Sequence, residues 1–312
     1  MTKLLTIAIP TYNRASRLDK QIAWLYQSMQ GVEDQCEIII SDNCSTDETP
    51  EIVAKWQAKF PPGVLQSNRN RKNVGLIGNM VCCIKAATSE YVWTIGDDDP
   101  IDDGAVSYLL KTLADNPDIT LLILNFSCRN EATGELVFDR CYDVDTDDVY
   151  QNGREIFERC IRINNSGVGV MTAQVYRTYL AQQATLSGPS LSNYESQVYW
   201  TGFCAFHGSV KISQETYAEY AAGLSSWMTD RKQLLRMHYN YLPEIYAKLA
   251  DIGYSKSFCR SMILTHFRIN NWRVFFGALR RWPILALQVI SRYLTLIFRV
   301  CFSKRWTFTR SL

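Results

Sequence analysis

The first 125 residues alternate between short apolar runs and longer segments whose apolar residues recur every three or four positions. Short apolar runs are typical of buried strands, and the longer periodic segments are typical of amphipathic helices. Strands are predicted at residues 4–9, 37–40, 64–66, 91–95 and 119–125. Helices are predicted at residues 16–29, 48–60, 75–87 and 103–114. This alternation predicts an α/β fold with a mostly parallel sheet and helices on both faces.

The loops that follow these strands are the expected ligand-binding positions, because ligands of such sheets bind at the carboxyl ends of the strands. They comprise residues 10–14, 41–47, 68–78 and 96–100. Beyond about residue 143 the pattern is less regular and more polar, and after residue 230 it becomes helical.

Three adjacent carboxylates, Asp97, Asp98 and Asp99, directly follow a predicted buried strand. Neighbouring carboxylates repel one another, and a hard divalent cation with oxygen ligands compensates that repulsion. Mg²⁺ and Mn²⁺ commonly bridge carboxylates to substrate phosphates. The cluster therefore indicates a metal site, with a helix cap or an acidic turn as the alternative.

Two other loops carry polar residues suited to ligand binding. Asp42 follows the second strand and is placed to accept hydrogen bonds from a ligand, whereas Ser45 and Asp47 suit helix caps. In the first loop, Tyr12 offers an apolar wall for a nucleobase. Alone, that turn is equally compatible with a plain strand-to-helix connection.

Taken together, the loops resemble the family 2 glycosyltransferases of GT-A fold. The likeness rests on A-I-P-T-Y-N-R, I-I-I-S-D-N-C-S-T-D-E-T, S-N-R-N-R-K-N-V-G-L-I-G-N and Y-V-W-T-I-G-D-D-D, in that order and spacing. It covers about the first 125 residues well and is weaker as far as residue 227. It implies a GT-A domain at residues 1–229, whose halves 1–125 and 126–229 bind the nucleotide-sugar and the acceptor.

The resemblance also implies roles for individual residues. It implies a metal-dependent, inverting transfer from a nucleotide-diphosphate sugar to an acceptor hydroxyl, with Mn²⁺ or Mg²⁺ held by Asp99. The nucleotide-binding residues that it implies are Pro10, Tyr12, Asn13, Asp42, Asn73, Gly75, Asp97 and Asp98. This chain has Gly96 where the commoner L-D-x-D-D pattern has its first aspartate. How Asp97, Asp98 and Asp99 share the metal and the sugar is therefore left open.

The general base that the resemblance implies lies in a later acidic motif just before a helix. The best match is S-N-Y-E-S-Q, which makes Glu195 the candidate. The adjacent Glu-Asp pair that is common in the family is missing here, and a helix-capping glutamate is the alternative.

Charge is distributed unevenly along the chain. The formal net charge is +2, yet no Asp or Glu follows Asp251, and eleven basic residues lie between Lys256 and Leu312. Residues 230–312 are therefore predicted to form a helical basic region, in which residues 284–302 are an amphipathic helix on an anionic membrane surface. A core helix or a homo-oligomer contact is the alternative. Nucleic acid is not an expected partner, because an acidic cleft repels phosphate.

From the remaining features we expect a cytoplasmic protein. The ten cysteines are scattered, and the sequence starts with an apparent strand rather than a signal peptide. We expect a protein peripheral to the inner membrane face, with a saccharide or lipid-linked saccharide acceptor, in cell-surface polysaccharide or glycolipid synthesis. Two alternatives remain open. A sugar-nucleotide nucleotidyltransferase would need a glycine-rich loop after the first strand, and a catalytically inactive GT-A-like interaction module would not need the intact aspartates.

Overall fold

A computed structural model describes residues 2–164, 167–222, 230–269 and 271–302. The chain divides into two compact units, Met1–Ser225 and Ser226–Leu312. We call them the sheet unit and the helical unit. The predicted domain boundary after residue 229 is at the end of segment 223–229, which is outside the described residues.

The sheet unit is built on one nine-stranded sheet with the order β3-β2-β1-β4-β8-β5-β9-β7, and β6 pairs with β5. The strands are β1 (Leu5–Thr11), β2 (Cys36–Asp42), β3 (Leu65–Arg69), β4 (Tyr91–Thr94), β5 (Ile119–Asn130), β6 (Leu136–Phe138), β7 (Val149–Tyr150), β8 (Gln174–Arg177) and β9 (Ser209–Ala222). The strands β1 to β4 pair in parallel with one another. β8 lies antiparallel between β4 and β5, so the sheet as a whole is mixed.

Helices cover both faces of this sheet. They are α1 (Ala15–Ser28), α2 (Thr49–Gln57), α3 (Gly75–Ala86), α4 (Ala105–Asp115), α5 (Gly153–Ile163), α6 (Thr178–Ser187) and α7 (Ser196–Phe206). Two short 3₁₀ turns, Gly167–Gly169 and Met171–Ala173, precede β8. The predicted strands and helices of the first 125 residues are all present, although β5 continues to Asn130.

The core explains why the apolar pattern predicts these elements. Every residue of β1 and β2 is buried, as expected for strands covered on both faces. On α1 the buried Leu18, Ile22 and Leu25 recur every three or four residues and pack into the same core. The α/β fold predicted from the sequence is therefore confirmed. Neighbouring strands are parallel throughout β3-β2-β1-β4, and the antiparallel β8 interrupts the parallel pairing beyond β4.

The helical unit contains α8 (Arg231–Arg236), a π-helical turn (Met237–Tyr241), α9 (Leu242–Ile252), α10 (Lys256–Ile269), α11 (Asn271–Arg281) and α12 (Pro283–Phe302). By length and composition alone, α12 is apolar enough to cross a membrane, and among the described residues it is the one helix that is. One face of α12 is nevertheless buried, at Ala286, Val289, Tyr293, Leu296 and Val300. A core helix passes the same test, so its length is weak evidence for a span.

Arginines on another face of α12 form ion pairs with α9. Arg292 Nη2 lies 3.0 Å from Glu244 Oε1, and Arg299 Nη2 lies 2.5 Å from Asp251 Oδ2. Both arginines belong to the segment 284–302 that is predicted to lie on an anionic membrane surface. In the structure both are paired with carboxylates of their own unit.

Candidate active site

Four loops meet at the carboxyl edge of β1 to β4 because these strands are parallel and in register. Thr11 pairs with Asp42 across β1 and β2, and Asp42 pairs with Arg69 across β2 and β3. The loop after β4 joins them through Thr11, whose hydroxyl donates to Asp97 Oδ2 at 2.7 Å. The predicted nucleotide-binding residues therefore lie along one sheet edge.

Asp42 is buried at the end of β2. Its Oδ1 accepts a hydrogen bond from the backbone N–H of Ser45 at 2.8 Å. Its Oδ2 accepts no hydrogen bond from the described residues, and Arg69 Nε is 3.4 Å away. A buried carboxylate oxygen without a hydrogen bond is costly, so this atom is suited to an N–H donor from a ligand.

The loop after β1 is fixed to the loop after β2. Asn13 has a φ of +53°, a left-handed conformation that asparagine tolerates better than most residues. Its side-chain oxygen accepts from the Thr46 N–H at 2.8 Å, and its own N–H donates to Ser45 Oγ at 2.9 Å. Pro10 is buried in β1, whereas the Tyr12 side chain is 42% exposed. Asn13 thus fixes the loop after β1 to the loop after β2, and the Tyr12 side chain is accessible to a ligand.

Asn73 and Gly75 lie at the start of α3, where Gly75 has a φ of +79°. The buried Asn43 connects them to β2, because its side-chain amide donates to Asn73 Oδ1 at 2.9 Å and to the Gly75 carbonyl at 3.3 Å. Its oxygen accepts from the Val74 N–H at 2.9 Å. Asn43 was not among the predicted site residues, although it directly follows Asp42.

Asp97 and Asp98 are bridged by arginines of the first loop and α1. Arg14 Nη1 lies 2.8 Å from Asp97 Oδ1 and 2.9 Å from Asp98 Oδ1. Arg17 donates to the other oxygen of Asp98. Asp97 is buried, and that burial raises the pKa of its carboxyl group. Asp98 is exposed at the surface of the loop.

Asp99 folds back over the loop. Its Oδ2 accepts from the Gly96 N–H at 2.9 Å and from the Thr172 hydroxyl. A Cβ on residue 96 would come within 2.6 to 2.8 Å of the Asp99 carboxylate, so this conformation requires glycine there. Burial raises the pKa of Asp99 as well. The predicted role of Asp99 as metal ligand stays a prediction, and one of its oxygens is already engaged.

The three aspartates supply oxygen ligands suited to Mg²⁺ or Mn²⁺. However, within the described ranges no three His, Cys, Asp or Glu side chains are grouped as a metal site requires. Arg14 bridges Asp97 and Asp98 where a cation would be attracted by both carboxylates. The ligand chemistry therefore fits a divalent cation, provided that Arg14 moves.

Glu195 is partly buried and directly precedes α7. Its backbone N–H donates to Asn193 Oδ1 at 3.0 Å, and its side chain makes no capping hydrogen bond to α7. Burial raises the pKa of the Glu195 carboxyl group to about 7. A carboxylate with that pKa is suited to general base catalysis at neutral pH.

Two side chains that position the acidic cluster were not predicted. Arg14 lies in a motif that the sequence analysis quoted, but its contact with Asp97 spans 83 positions. Thr172 is 73 positions from Asp99, and it reaches the cluster because β8 pairs with β4.

A mixed sheet of this order, with a buried carboxylate and an acidic cluster at the ends of its parallel strands, agrees with the α/β fold and the loop positions predicted from the sequence. The chain belongs to the family described as Glycosyl transferase family 2, whose sequence profile matches residues 6–175, just over half of the chain. The predicted family is thereby confirmed.

Curated relatives share the first part of the chain. The abequosyltransferase RfbV of Salmonella typhimurium is 32% identical over 134 residues, which are 42% of this chain and 37% of that protein. The GalNAc(5)-diNAcBac-PP-undecaprenol beta-1,3-glucosyltransferase of Campylobacter jejuni is 33% identical over 108 residues, 34% of this chain and 33% of that protein. The matches thus span about a third of the length of these relatives.

Solved structures extend the likeness to nearly the whole chain. Staphylococcus aureus TarS 1–349 in complex with UDP-GlcNAc has a TM-score of 0.68 at 14% identity, covering 95% of this chain and 82% of TarS 1–349. The mannosyltransferase PcManGT from Pyrobaculum calidifontis, in complex with GDP-Man and Mn²⁺, has a TM-score of 0.54 at 16% identity, covering 96% and 84%. At these identities the likeness is one of fold, and it confirms the GT-A prediction.

Proposed function

We propose that this protein transfers a sugar from a nucleotide-diphosphate sugar to an acceptor hydroxyl group, with inversion at the anomeric carbon. The observation that carries the proposal is the buried Asp42, whose Oδ2 accepts no hydrogen bond from the described residues, at the same sheet edge as Asp97 and Asp98. One edge therefore offers an acceptor for a nucleobase N–H and carboxylates for a metal-bound diphosphate.

The nucleotide is proposed to lie across the first three loops. Asp42 would accept from the base, and the exposed Tyr12 ring would cover one face of it. Arg69, close to the same Asp42 oxygen, would donate to a neighbouring base atom. Asn73 and Gly75, held by Asn43, would border the ribose.

The diphosphate is proposed to lie at the acidic cluster. Asp98, which is exposed, and Asp99 would hold Mn²⁺ or Mg²⁺, and Asp97 would bind the ribose or the donor sugar. A bound divalent cation neutralises negative charge that develops on a leaving diphosphate. Arg14 would then be released from Asp98 to pair with phosphate oxygens, which guanidinium groups bind well.

The chemical step needs one base from the chain. Glu195 would take the proton of the acceptor hydroxyl as its oxygen forms the new bond to the anomeric carbon. The bond from that carbon to the diphosphate oxygen breaks, and the electron pair leaves with the nucleotide diphosphate. One displacement of this kind inverts the configuration and requires no covalent intermediate on the protein.

The acceptor is proposed to be a saccharide or lipid-linked saccharide of cell-surface polysaccharide or glycolipid synthesis. Support comes from a relative, since the name of the Campylobacter jejuni glucosyltransferase includes a saccharide joined to PP-undecaprenol.

We also propose that α12 lies on the inner face of the cell membrane. One of its faces is packed within the helical unit, whereas another exposes apolar residues. These are Ile284, Leu287, Leu294, Phe298 and Phe302. A helix with one packed face and one apolar exposed face suits interfacial docking better than spanning.

Vesicle flotation tests this docking. Leu287→Asp with Phe298→Asp should release the protein from anionic vesicles, whereas Ser261→Asp, at an exposed position on α10, should not. Retention of the double variant on vesicles would overturn membrane docking. Loss of a dimer in light scattering without any effect on flotation would assign the face to a homo-oligomer instead.

Calorimetric titration with UDP, GDP, CDP and dTDP, with and without Mn²⁺, tests the nucleotide site. One of them should bind, and more tightly with Mn²⁺. Asp42→Asn should weaken that binding, whereas Asp19→Asn, which removes a surface carboxylate paired with Lys55, should leave it unchanged. Absence of binding for all four nucleotides would overturn the proposal.

The products distinguish the two alternative functions. A transferase releases the nucleoside diphosphate, a nucleotidyltransferase releases pyrophosphate, and an inactive module releases neither. We expect nucleoside diphosphate, detected together with a glycosylated acceptor.

A further inference from the structure

The helical unit contains a pocket of about 390 Å³ between α8, the π-helical turn and α11. Its size falls in the range of about 300–1,000 Å³ that is typical of sites for small molecules. Leu234, Val274, Ala278 and Trp282 contribute apolar surface to its wall. Nothing in the proposed sugar transfer uses this pocket, because all of its lining residues belong to the helical unit.

Two arginines, Arg231 and Arg281, line the same pocket. Neither has a carboxylate within 4.0 Å among the residues that the structure describes. The Lys232 ammonium lies 5.6 Å from the centre of the Trp282 ring, so a third positive charge is close to a residue of the pocket wall. An apolar pocket with uncompensated cations is complementary to a molecule that joins a hydrocarbon chain to an anionic group.

The acidic residues of the helical unit interact with groups other than Arg231 and Arg281. Residues 230–302 contain twelve Arg and Lys residues but only three carboxylates, Asp230, Glu244 and Asp251. Glu244 pairs with Arg292 and Asp251 pairs with Arg299, while Asp230 caps the start of α8. The excess positive charge at the pocket therefore has no internal counterion among the described residues.

Gly277 is a second, independent indication that the pocket is kept open. It lies inside α11, where glycine costs about 1 kcal/mol relative to alanine. No described atom lies within 4 Å of the position that a Cβ would occupy, so packing does not require glycine. Gly277 lines the pocket, so a side chain as long as leucine at this position would take up space in it.

The backbone at the pocket is also unusual. The π-helical turn Met237–Tyr241 contributes His238 and Tyr239 to the wall. Single π-helical turns inside helices occur frequently at functional sites.

We propose that this pocket binds a phosphate-headed lipid. One hydrocarbon chain would lie between Leu234, Val274 and Trp282, and the phosphate would pair with Arg231 and Arg281. The inference does not depend on the sugar transfer, and it concerns a different surface from the exposed face of α12.

The test is calorimetric titration of the full chain with dodecyl phosphate below its micelle concentration. Saturable binding of one molecule is expected, weakening as salt increases. Dodecanol and inorganic phosphate are the controls, and each should bind at least about tenfold more weakly. Dodecanol lacks the hydrogen-bonded charge pair, which is worth about that much. Inorganic phosphate lacks the hydrocarbon chain, whose burial contributes about 0.8 kcal/mol per CH₂ group. Equal binding of inorganic phosphate would indicate an anion site without a lipid pocket and would overturn the proposal.

Variants at Gly277 separate occlusion of the pocket from loss of fold. Gly277→Leu should abolish binding, whereas Gly277→Ala should keep it, and both should raise the unfolding temperature because the helix gains a better helix former. Unchanged dodecyl phosphate binding by a folded Gly277→Leu variant would contradict the proposal.

Variants of the arginines test the head group. Arg231→Gln with Arg281→Gln should weaken binding by about tenfold or more. Arg260→Gln, an exposed arginine on α10 outside the pocket, should leave it unchanged. Leu287→Asp should also keep this binding, which distinguishes the pocket from membrane docking by α12. An equal effect of all arginine variants would indicate nonspecific charge attraction and would overturn the assignment.

Discussion

In the sheet unit, arginines contact the carboxylates of the candidate site, whereas in the helical unit carboxylates are too few for the arginines. Arg14 bridges Asp97 and Asp98, and Arg69 lies beside Asp42. In the helical unit, Arg292 and Arg299 take the carboxylates of α9, which leaves Arg231 and Arg281 without one among the described residues. In the sheet unit, a metal can therefore replace an arginine at its carboxylate, and the arginine can then bind a phosphate. In the helical unit, the arginines without a carboxylate can only attract an anion.

The two units also differ in how much their ion pairs contribute to the free energy of unfolding. The pairs of the candidate site include the buried Asp97, so their loss leaves a buried charge. The pairs on α12 lie nearer the solvent, where such pairs contribute little.

Glu195→Gln should have the largest effect, a loss of about 10²–10⁴-fold in kcat, because a general base contributes that much. Nucleotide binding should be retained, since Glu195 is not among the proposed nucleotide contacts. Steady-state rates and a nucleotide titration on the same sample measure both. A variant with wild-type kcat would show that Glu195 is an ordinary residue before a helix.

The pH dependence of the rate is an independent test of Glu195 as the general base. The pKa of Glu195 is raised to about 7, so the ionised base increases as pH rises through 7. The rate should rise in proportion to the ionised fraction of Glu195 and become constant well above pH 7. Because a raised carboxyl pKa costs stability once the group ionises, stability should fall as pH rises from about 4.5 through 7. The glutamine variant should lack that fall.

Thr172→Val should lower the free energy of unfolding by about 1.5–3 kcal/mol, because a hydroxyl that donates to the Asp99 carboxylate is lost. Thr172→Ser keeps the hydroxyl and should restore most of the stability. Denaturant unfolding of both variants measures the difference. Equal stability of valine and serine variants would show that this hydrogen bond does not hold the acidic loop.

These contacts mark how far sequence reasoning reaches. The apolar runs of β1 and β2 identify buried strands, and parallel pairing then brings Asp42 and the acidic cluster to one edge. The contact of Thr172 with Asp99 depends on β8 inserting antiparallel beside β4, which no local pattern encodes. The reach of Arg14 to Asp97, and of Arg299 to Asp251, depends likewise on side-chain directions across long sequence separations.

Arg14→Gln should lower the free energy of unfolding by about 1–2 kcal/mol without metal, because buried Asp97 loses a charged partner and Arg14 itself is partly exposed. Mn²⁺ should raise the unfolding temperature of this variant more than that of the wild type, since a cation would replace the guanidinium group. Arg129→Gln, which removes an exposed pair with Glu219, is the control and should show no such gain. A smaller Mn²⁺ effect in Arg14→Gln than in the wild type would contradict competition between Arg14 and the metal.

Arg292→Gln should have the smallest effect, about 0.2–1 kcal/mol of unfolding free energy, because its pair with Glu244 is partly exposed to solvent. Retention on anionic vesicles should be unchanged, since an arginine already paired within the unit has little charge left for lipid phosphates. Denaturant unfolding and vesicle flotation measure the two quantities separately. Release from vesicles by this substitution alone would mean that Arg292 leaves Glu244 when the protein binds the membrane. Arginines of both units would then exchange a carboxylate partner for a ligand, which we propose only for the sheet unit.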